Sequence, residues 1–416
     1  MAKNYSLIRD AVHGFIKVSP LEMEIIDTMP FQRLRNIKQL AFTNLVYPGT
    51  EHSRFSHSLG VMEFATKVFD VIIAKHQKCL DWDERRVKKN RQLLRLASLL
   101  HDIGHSPFSH ASEELIDESL GSHEEYVAKI IEDTSIKDII DRLPKEAGTE
   151  ISSKNIIDFF KGETIEDDIG DIAFLREIYA GEVDADRMDY LLRDSLFAGV
   201  HYGKFDQERL IQSLCLVNPP GEGSPVLAIE EGGKHALEAL ILARYFMFTQ
   251  VYFHKVRRSY DLHLKEFLKE KVGKYPVDTN EYLGWDDIKV LQIMREDKSN
   301  DNGQRILNRN HFVEVFSTPE HSTEEEKIRF MSLKGKAAEE FKDIRVFFDE
   351  AEKGPHKFET TDFYIQDKRG NIELINKASH IIAALKKIQE FRVYTSNENG
   401  ERVKKFCEEF WYNGKV

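Results

Sequence analysis

The stretch that most constrains the fold of this chain leads from an apolar helical stripe into the decapeptide HDIGHSPFSH at residues 101–110. The stripe repeats at the spacing of one helix face through Leu93, Leu96, Ala97 and Leu100. A histidine and an aspartate follow at once, and further histidines come within the same decapeptide. Because such groups are costly to bury, a chain that needed only a core would not concentrate them here. The segment therefore predicts a buried helix that ends at a site for a divalent cation and phosphate chemistry.

Helical periodicity continues over the first two thirds of the sequence. A second apolar stripe follows His57, through Val61, Phe64, Ala65, Val68 and Ile72. Residues 234–271 contain no proline and are typical of one long helix or a close pair of helices. Together these patterns predict an all-α domain over residues 1–270.

The last third has a different pattern. Polar turn signals between residues 272 and 303 precede short alternating segments that are typical of strands, namely HFVEVF (311–316), IRVFF (344–348), DFYIQD (362–367), NIELI (371–375) and FRVYT (391–395). Helical patterns at 324–341 and 377–389 lie between them. We expect a smaller α+β region over residues 271–416, with an oligomerisation or regulatory role, and a mainly α fold overall.

Composition limits the partners of the chain. The formal net charge of -12 gives no general attraction to nucleic acid or to an anionic membrane, so phosphate must be bound by a local cluster and the ligand is expected to be small. No apolar run approaches the ~18 residues that span a bilayer, and the start lacks a signal-peptide stretch. The three cysteines are far apart, as expected of reduced thiols in a cytoplasmic protein.

Further segments could complete a metal site around His101 and Asp102. Neighbouring side chains diverge by about 100° on a helix, so this pair cannot hold an ion alone. The segment HSRFSH (52–57) offers His57, and VDADRMDY (183–190) offers three aspartates, Asp184, Asp186 and Asp189. Two imidazoles and two carboxylates suit Mn, Fe, Mg or a similar ion. Taken alone, an HD dipeptide is more simply a helix-end histidine beside a capping aspartate.

Several motifs together resemble the HD-domain phosphohydrolases, and within them the deoxynucleoside triphosphate (dNTP) triphosphohydrolases. The matching stretches are FQRLRNIKQL (31–40), YPGTEHSRFSHSLGV (47–61), LLHDIGHSPFSH (99–110), DADRMDYLLRD (184–194) and VYFHK (251–255). The resemblance covers about the first 260 residues. It implies an all-α HD domain and a divalent metal held by His57, His101, Asp102 and Asp186.

The resemblance also implies a set of catalytic side chains. A histidine–acid dyad corresponds to His123 and Glu113, and a histidine on the phosphate side corresponds to His105 or His110. An imidazole paired with a carboxylate can deliver a proton to a leaving oxygen. The family often has aspartate where this chain has Glu113.

Substrate contacts are expected on both sides of the metal. Three basic residues are expected to contact the phosphates: Arg54, which lies three residues before His57, and Arg187 and Lys255. Matches to family positions imply that the nucleoside is bound by Gln39, Leu40, Tyr190, Asp194, Arg244 and Tyr252. Close packing of the sugar against Tyr252 and Leu40 would exclude a 2'-hydroxyl and favour deoxynucleotides.

A regulatory site is implied by Asp27, Gln32 and Arg35, which match a guanine-recognising effector cluster in regulated members of the family. Such clusters lie between subunits in that family, so we expect a homo-oligomer, a dimer or tetramer, that binds a guanine nucleotide. An amphipathic helix would show the same pattern by default.

The sequence therefore predicts hydrolysis of dNTPs to deoxynucleoside and triphosphate. One alternative is a phosphodiesterase or nucleotidase of the same superfamily, although the GYP tripeptide of one phosphodiesterase subtype is missing. The other is a catalytically weak nucleotide-sensing protein, against which the retention of all four ligands and His123 argues.

Overall fold

Helices form most of the chain in this computed structural model, which describes residues 5–109, 115, 123–142, 151–163, 172–221, 223–358 and 361–413. The helices of these residues are α1 (Pro20–Ile26), α2 (Met29–Arg33), α3 (Arg54–Leu80), α4 (Glu84–Leu100), α5 (His123–Asp133), α6 (Ser135–Asp141), α7 (Ser153–Lys161), α8 (Ala173–Ala180), α9 (Ala185–Ala198), α10 (Gln207–Ser213), α11 (Lys234–Met247), α12 (Lys255–Lys271), α13 (Thr279–Leu283), α14 (Asp287–Glu296), α15 (Asp301–Leu307), α16 (Glu324–Glu340), α17 (Ile375–Ala378), α18 (His380–Ala384) and α19 (Gly400–Asn413). Short 3-10 turns and one π-turn (Phe248–Tyr252) connect some of them.

The described strands form three small sheets. Their bounds are β1 (Ser6–Asp10), β2 (Gly14–Val18), β3 (Leu214–Val217), β4 (Val226–Glu230), β5 (Val313–Ser317), β6 (Val346–Lys353), β7 (Tyr364–Gln366), β8 (Ile372–Leu374) and β9 (Ile388–Thr395). Strands β1 and β2 pair antiparallel, the second sheet has the order β3-β4-β7-β8, and the third has the order β5-β9-β6. In the second sheet β4 and β7 run parallel, while the other pairs are antiparallel.

Helices α3, α4 and α9 carry the chemistry-bearing motifs, and local signals set where two of them begin. The Asp83 side chain accepts a hydrogen bond from the Arg86 amide and starts α4, and Asp184 does the same for α9 through the Arg187 amide. The apolar stripes face one large core, in which Leu93, Leu96 and Val61 are fully buried. Burial of these stripes brings the ends of α3, α4 and α9 together.

The mainly α class is confirmed, and so are the five strands predicted after residue 310. The predicted element at 234–271 is a pair of helices, α11 and α12, joined by the π-turn. The first 270 residues also contain four strands, β1 to β4, which the helical pattern did not indicate.

The helix predicted over 377–389 is confirmed only in part: two short helices, α17 and α18, reach Ala384, and the end of the span belongs to β9. Ser379 accepts a hydrogen bond from the Ile382 amide and starts the short helix α18, which ends at Ala384. Ile388 then begins β9 by pairing with Lys353. A helical spacing of apolar residues is outweighed here by cross-strand pairing within the sheet.

Secondary structure crosses the predicted division at residue 270. Ala228 of β4 is opposite Tyr364 of β7, and Ile229 is opposite Ile365. The large core likewise contains Ile365 and Ile382. Residues from both sides of position 270 thus share a sheet and a core, and the division into domains 1–270 and 271–416 stays a prediction.

Among the described residues, no helix is both long enough and apolar enough to cross a membrane.

Candidate metal centre and active site

His57 lies in the first turn of α3 and bridges two aspartates of α9. Its Nε2 is 2.9 Å from Oδ1 of Asp186, and its Nδ1 is 2.8 Å from Oδ2 of Asp189. Asp186 and Asp189 are three residues apart and so lie on one face of α9. Asp189 is fully buried, whereas Asp186 is partly exposed. The arrangement makes Asp189 the hydrogen-bond acceptor of Nδ1–H and leaves Nε2 to face Asp186.

His101, the residue that ends α4, presents its other nitrogen to the same place. Nδ1 is 2.8 Å from the backbone oxygen of Ser98, which can only accept, so Nδ1 carries the hydrogen. Nε2 is buried and makes no hydrogen bond to any described residue. A buried nitrogen lone pair without a donor is the state that a metal ligand requires.

One atom each from His57, His101 and Asp186 lies within 4.8 Å of the others, a spacing that could hold a metal ion. Asp102, the fourth predicted ligand, lies alongside: Oδ1 is 3.2 Å from Nε2 of His101, and Oδ2 is 3.7 Å from Nε2 of His57. Oδ2 also accepts a hydrogen bond from Arg54. Imidazole and carboxylate donors together fit a divalent transition metal or magnesium.

The electrostatics of the cluster favour positive charge. Burial alone would lower the pKa of His57, but hydrogen bonds to Asp186 and Asp189 raise it to about 10. Burial alone would raise the pKa of Asp102, but Arg54 and the nearby histidines hold it well below its usual range. The carboxylates therefore stay ionised and stabilise a cation between the imidazoles.

A second layer behind the cluster was missed in the sequence. Both oxygens of Asp189 bind Arg193, at 2.7 and 2.9 Å, and Oδ1 is also 2.8 Å from Nε2 of His13. Arg193 binds Asp10 at 2.9 Å on its other side. A Cβ at Gly60 would lie 1.9 Å from Oδ1 of Asp189, so only glycine lets α3 come this close to α9. The four-residue spacing of Asp189 and Arg193 could have indicated their ion pair on one helix face. Asp10 of β1 and His13 of the β1–β2 turn belong to no recognisable motif, so their contacts could not be predicted from the sequence.

The arginines expected to bind phosphate lie beside the cluster. The buried Arg54 guanidinium contacts Asp102 at 2.5 Å and Oγ of Ser109 at 2.7 Å. Arg187 is 3.0 Å from Glu182 and 3.6 Å from Asp184. Both arginines are thus close to acidic groups that a phosphate ligand would compete with.

Three of the predicted nucleoside contacts, Tyr190, Asp194 and Tyr252, lie together along α9. Tyr252 donates its hydroxyl hydrogen to Oδ2 of Asp194 at 2.7 Å, and its ring is 6.2 Å from that of Tyr190. Asp194 also contacts Nε2 of His52 at 2.8 Å, an interaction that the sequence did not suggest. The remaining members of the predicted set in this part of the chain are buried or half-buried: Gln39, Leu40 and Arg244.

Lys255 is not brought into this group. Its ammonium is exposed and lies 3.5 Å from Glu314 of β5. The predicted phosphate contact of Lys255 has no support from the described contacts.

Of the predicted catalytic residues, His105 is buried with Nδ1 3.4 Å from Oδ1 of Asp102. His123 is the first residue of α5. His110 and Glu113 lie outside the described residues. The proton-transfer dyad of His123 and Glu113 therefore stays a prediction.

The predicted effector residues Asp27, Gln32 and Arg35 lie near the surface at α1 and α2. Arg35 donates from Nε to Oε1 of Gln32 at 2.7 Å, and its guanidinium lies over the ring of Phe55 at 3.5 Å. Gln32 donates to the backbone oxygen of Ile26. Asp27 ends α1.

Comparison with known proteins identifies the family. The family model described as HD domain matches residues 54–194, and the one described as HD associated region matches residues 205–411. The solved structure of a hypothetical protein from Aquifex aeolicus is 33% identical, with a TM-score of 0.80, and is matched over 97% of this chain and 100% of that chain. The chain belongs to the HD-domain phosphohydrolase family. HD domains are metal-dependent, and the His57–His101–Asp186 cluster of this member could hold a divalent metal.

Curated HD-domain relatives include proteins with and without an assigned activity. The uncharacterized protein YwfO of Bacillus subtilis is 36% identical over 264 residues, 63% of this chain and 55% of that protein. The deoxynucleoside triphosphate triphosphohydrolase SAMHD1 homolog of Dictyostelium discoideum is 32% identical over 324 residues, 74% of this chain and 59% of that protein. This HD-domain chain spans little more than half the length of these curated relatives.

Proposed function

We propose that this HD-domain protein hydrolyses deoxynucleoside triphosphates to deoxynucleoside and triphosphate. The observation that carries the proposal is the order of side chains along α9. Asp186 lies at the metal cluster, Arg187 follows it beside Glu182, and Asp194 binds the Tyr252 hydroxyl. Eight residues of helix separate Asp186 from Asp194, about 12 Å along the axis. The start of one helix thus offers a metal ligand and an arginine for phosphate, and a carboxylate that can bind a sugar hydroxyl follows on the same helix.

His57, His101 and Asp186, with Asp102 beside them, would hold the metal. Lewis-acid polarisation of the α-phosphate is the chemistry that a bound divalent cation supplies. Arg54 and Arg187 neutralise charge on the phosphates. A water oxygen bonds to the α-phosphorus and releases a proton to solvent, while the bond from phosphorus to the sugar 5'-oxygen breaks. A histidine, for which His105 and the His123–Glu113 dyad are our candidates, delivers the proton to that departing oxygen.

Product identity tests the proposal. The purified chain is incubated with each dNTP and each ribonucleotide under several divalent metals, and the phosphate products are resolved by ion-exchange chromatography. We expect inorganic triphosphate from dNTPs and much slower turnover of ribonucleotides. Release of orthophosphate or pyrophosphate, or cleavage only of phosphodiesters, would replace this proposal with one of the other hydrolase classes.

We further propose that the active form is a homo-oligomer that binds a guanine nucleotide through Asp27, Gln32 and Arg35. The contact between Arg35 and Gln32 supports this, because both groups are joined near the surface where a ligand or second copy can reach them. Light scattering and initial rates should rise together when GTP is added, and Arg35→Ala should blunt both responses. Arg369→Ala, which removes an exposed arginine in the β7–β8 turn, is the control. A fully active monomer that does not respond to GTP contradicts the proposal.

A further inference from the structure

The end of β6 lies against residues of α11 and its π-turn. Nζ of Lys353 is 5.4 Å from the ring centroid of Phe248, and the guanidinium carbon of Arg244 is 5.9 Å from the same centroid. Two cations therefore approach one ring, one of them from the C-terminal third of the chain. No sequence motif suggested that Lys353 is close to the candidate site.

Glu182 ties the same segment to the phosphate side of the site. Its carboxylate is 3.0 Å from Arg187 and 3.5 Å from Arg244, and it accepts a hydrogen bond from the Lys357 amide at 2.9 Å. Glu182 is buried, so these partners are fixed around it. Arg187 directly follows the metal-cluster residue Asp186, so the shared carboxylate links Arg244 and the β6 segment to the metal cluster.

Arg244 has binding capacity that its protein neighbours leave unused. The side chain is 3% exposed, yet Nε and Nη1 make no hydrogen bond to any described residue. A buried guanidinium nitrogen without an acceptor is unfavourable, because it has lost its hydrogen bonds to water and gained none in the protein. An anionic ligand beside Arg244 would remove that cost and supply the missing acceptors.

Charge in this region is also incompletely balanced. Burial lowers the pKa of Lys353, and the charges of Arg244 and Arg187 lower it further, which reflects repulsion among the three cations. Glu182 opposes this effect. Arg187, Arg244 and Lys353 converge beside Glu182, and Arg187 also lies 3.6 Å from Asp184. Such a group of cations suits a ligand with several negative charges, such as a polyphosphate.

We propose that Lys353 is a substrate-binding residue that, with Arg187 and Arg244, holds the terminal phosphates of a nucleoside triphosphate. The inference rests on the proposed function and extends it. The C-terminal region completes the active site, and recognition of the polyphosphate tail selects triphosphates over monophosphates. Family resemblance assigned Arg244 to the nucleoside, whereas this proposal assigns it to the phosphates.

Binding of inorganic tripolyphosphate and orthophosphate to the purified full chain, measured by isothermal titration calorimetry, tests the proposal without turnover. We expect Lys353→Ala to weaken tripolyphosphate binding about tenfold, about 1.4 kcal/mol, and to leave orthophosphate binding unchanged. Lys353→Arg should restore most of the affinity because it keeps the charge. Lys368→Ala, which removes an exposed lysine from the β7–β8 turn, is the charge-matched control.

Steady-state kinetics separate this inference from the proposed function. If dNTPs are substrates, Lys353→Ala should raise KM about tenfold with a smaller change in kcat. Unchanged tripolyphosphate affinity in Lys353→Ala, or an equal loss in Lys368→Ala, overturns the inference even if dNTPs are hydrolysed. Lys353-dependent tripolyphosphate binding without dNTP hydrolysis supports the role of Lys353 in binding polyphosphate and overturns the proposed reaction instead.

Discussion

Asp189 decides how the central histidine of the cluster is presented. Its carboxylate accepts from Nδ1 of His57 at 2.8 Å, so the other imidazole nitrogen faces Asp186, within the cluster that could hold a metal. Burial alone would raise the pKa of Asp189, but Arg193 and the hydrogen bonds from His13 and His57 hold it well below the usual range. The residue thus remains a charged acceptor in a fully buried position.

We predict that Asp189→Asn lowers metal affinity by about 10- to 100-fold, because the amide oxygen still accepts from His57 but no longer carries charge. Metal competition with a chromophoric chelator measures the affinity, and circular dichroism checks the helical fold. Asp10→Asn is the matched control, since Asp10 also binds Arg193 but has no described contact with His57. Equal losses of affinity in the two variants would show that Asp189 acts only by supporting Arg193.

At the scale of elements, the loop after α4 is held in place by the segment around α13 and α14. The Tyr282 hydroxyl donates a hydrogen bond to the Gly104 carbonyl at 2.7 Å. The Arg33 guanidinium donates to the backbone carbonyls of His105, at 2.9 Å, and Trp285, at 2.8 Å. Asp287 accepts from the amide of Phe108 at 2.7 Å and from that of Lys38 at 2.9 Å. The loop that contains His105 is therefore positioned by residues far along the chain.

We predict that Tyr282→Phe lowers the free energy of unfolding by about 1–3 kcal/mol, because it leaves the buried Gly104 carbonyl without this donor. It should also reduce kcat several-fold while metal content stays unchanged, since none of the predicted metal ligands receives this bond. Asp287→Asn, which leaves one acceptor oxygen for two amides, should act in the same direction. Denaturant titration, metal analysis and steady-state kinetics check the three expectations. A loss of metal in Tyr282→Phe would contradict the prediction that this hydrogen bond positions only the loop and not the metal cluster.

At the scale of the whole molecule, the two sequence regions share one sheet and one core. Strand β7 completes the edge of β4, and the segment around Tyr282 holds the loop of the candidate site. The first 270 residues thus depend on later residues for both packing and geometry. A chain cut at residue 270 would expose the edge of β4 and part of the core.

We predict that a fragment of residues 1–270 is aggregated or sensitive to protease and binds metal weakly, whereas the full chain is resistant. Size-exclusion chromatography, limited proteolysis and metal analysis on both proteins check this. A soluble fragment with the melting temperature and metal content of the full chain would instead establish residues 1–270 as an independent domain.

The sequence by itself predicted the helices that carry the motifs, the strands after residue 310 and the residues that could bind a metal. These predictions depend on local signals: apolar spacing along α3 and α4, and chemistry-bearing residues concentrated at 57, 101–102 and 184–189. Family resemblance narrowed the choice among the three aspartates. Periodicity failed at the end of the helix predicted over 377–389, where Ile388 pairs with Lys353 and begins a strand.

Only the tertiary structure showed that Asp186 contacts Nε2 of His57 while Asp189 contacts its Nδ1, because these contacts depend on how α9 packs against α3 at Gly60. It likewise brought Asp10 and His13 behind the cluster. The approach of Lys353 to Arg244 joins residues more than 100 positions apart. The periodicity of a helix or strand shows which of its faces is buried, but not which other element packs against that face. Contacts between distant elements therefore cannot be predicted from these patterns.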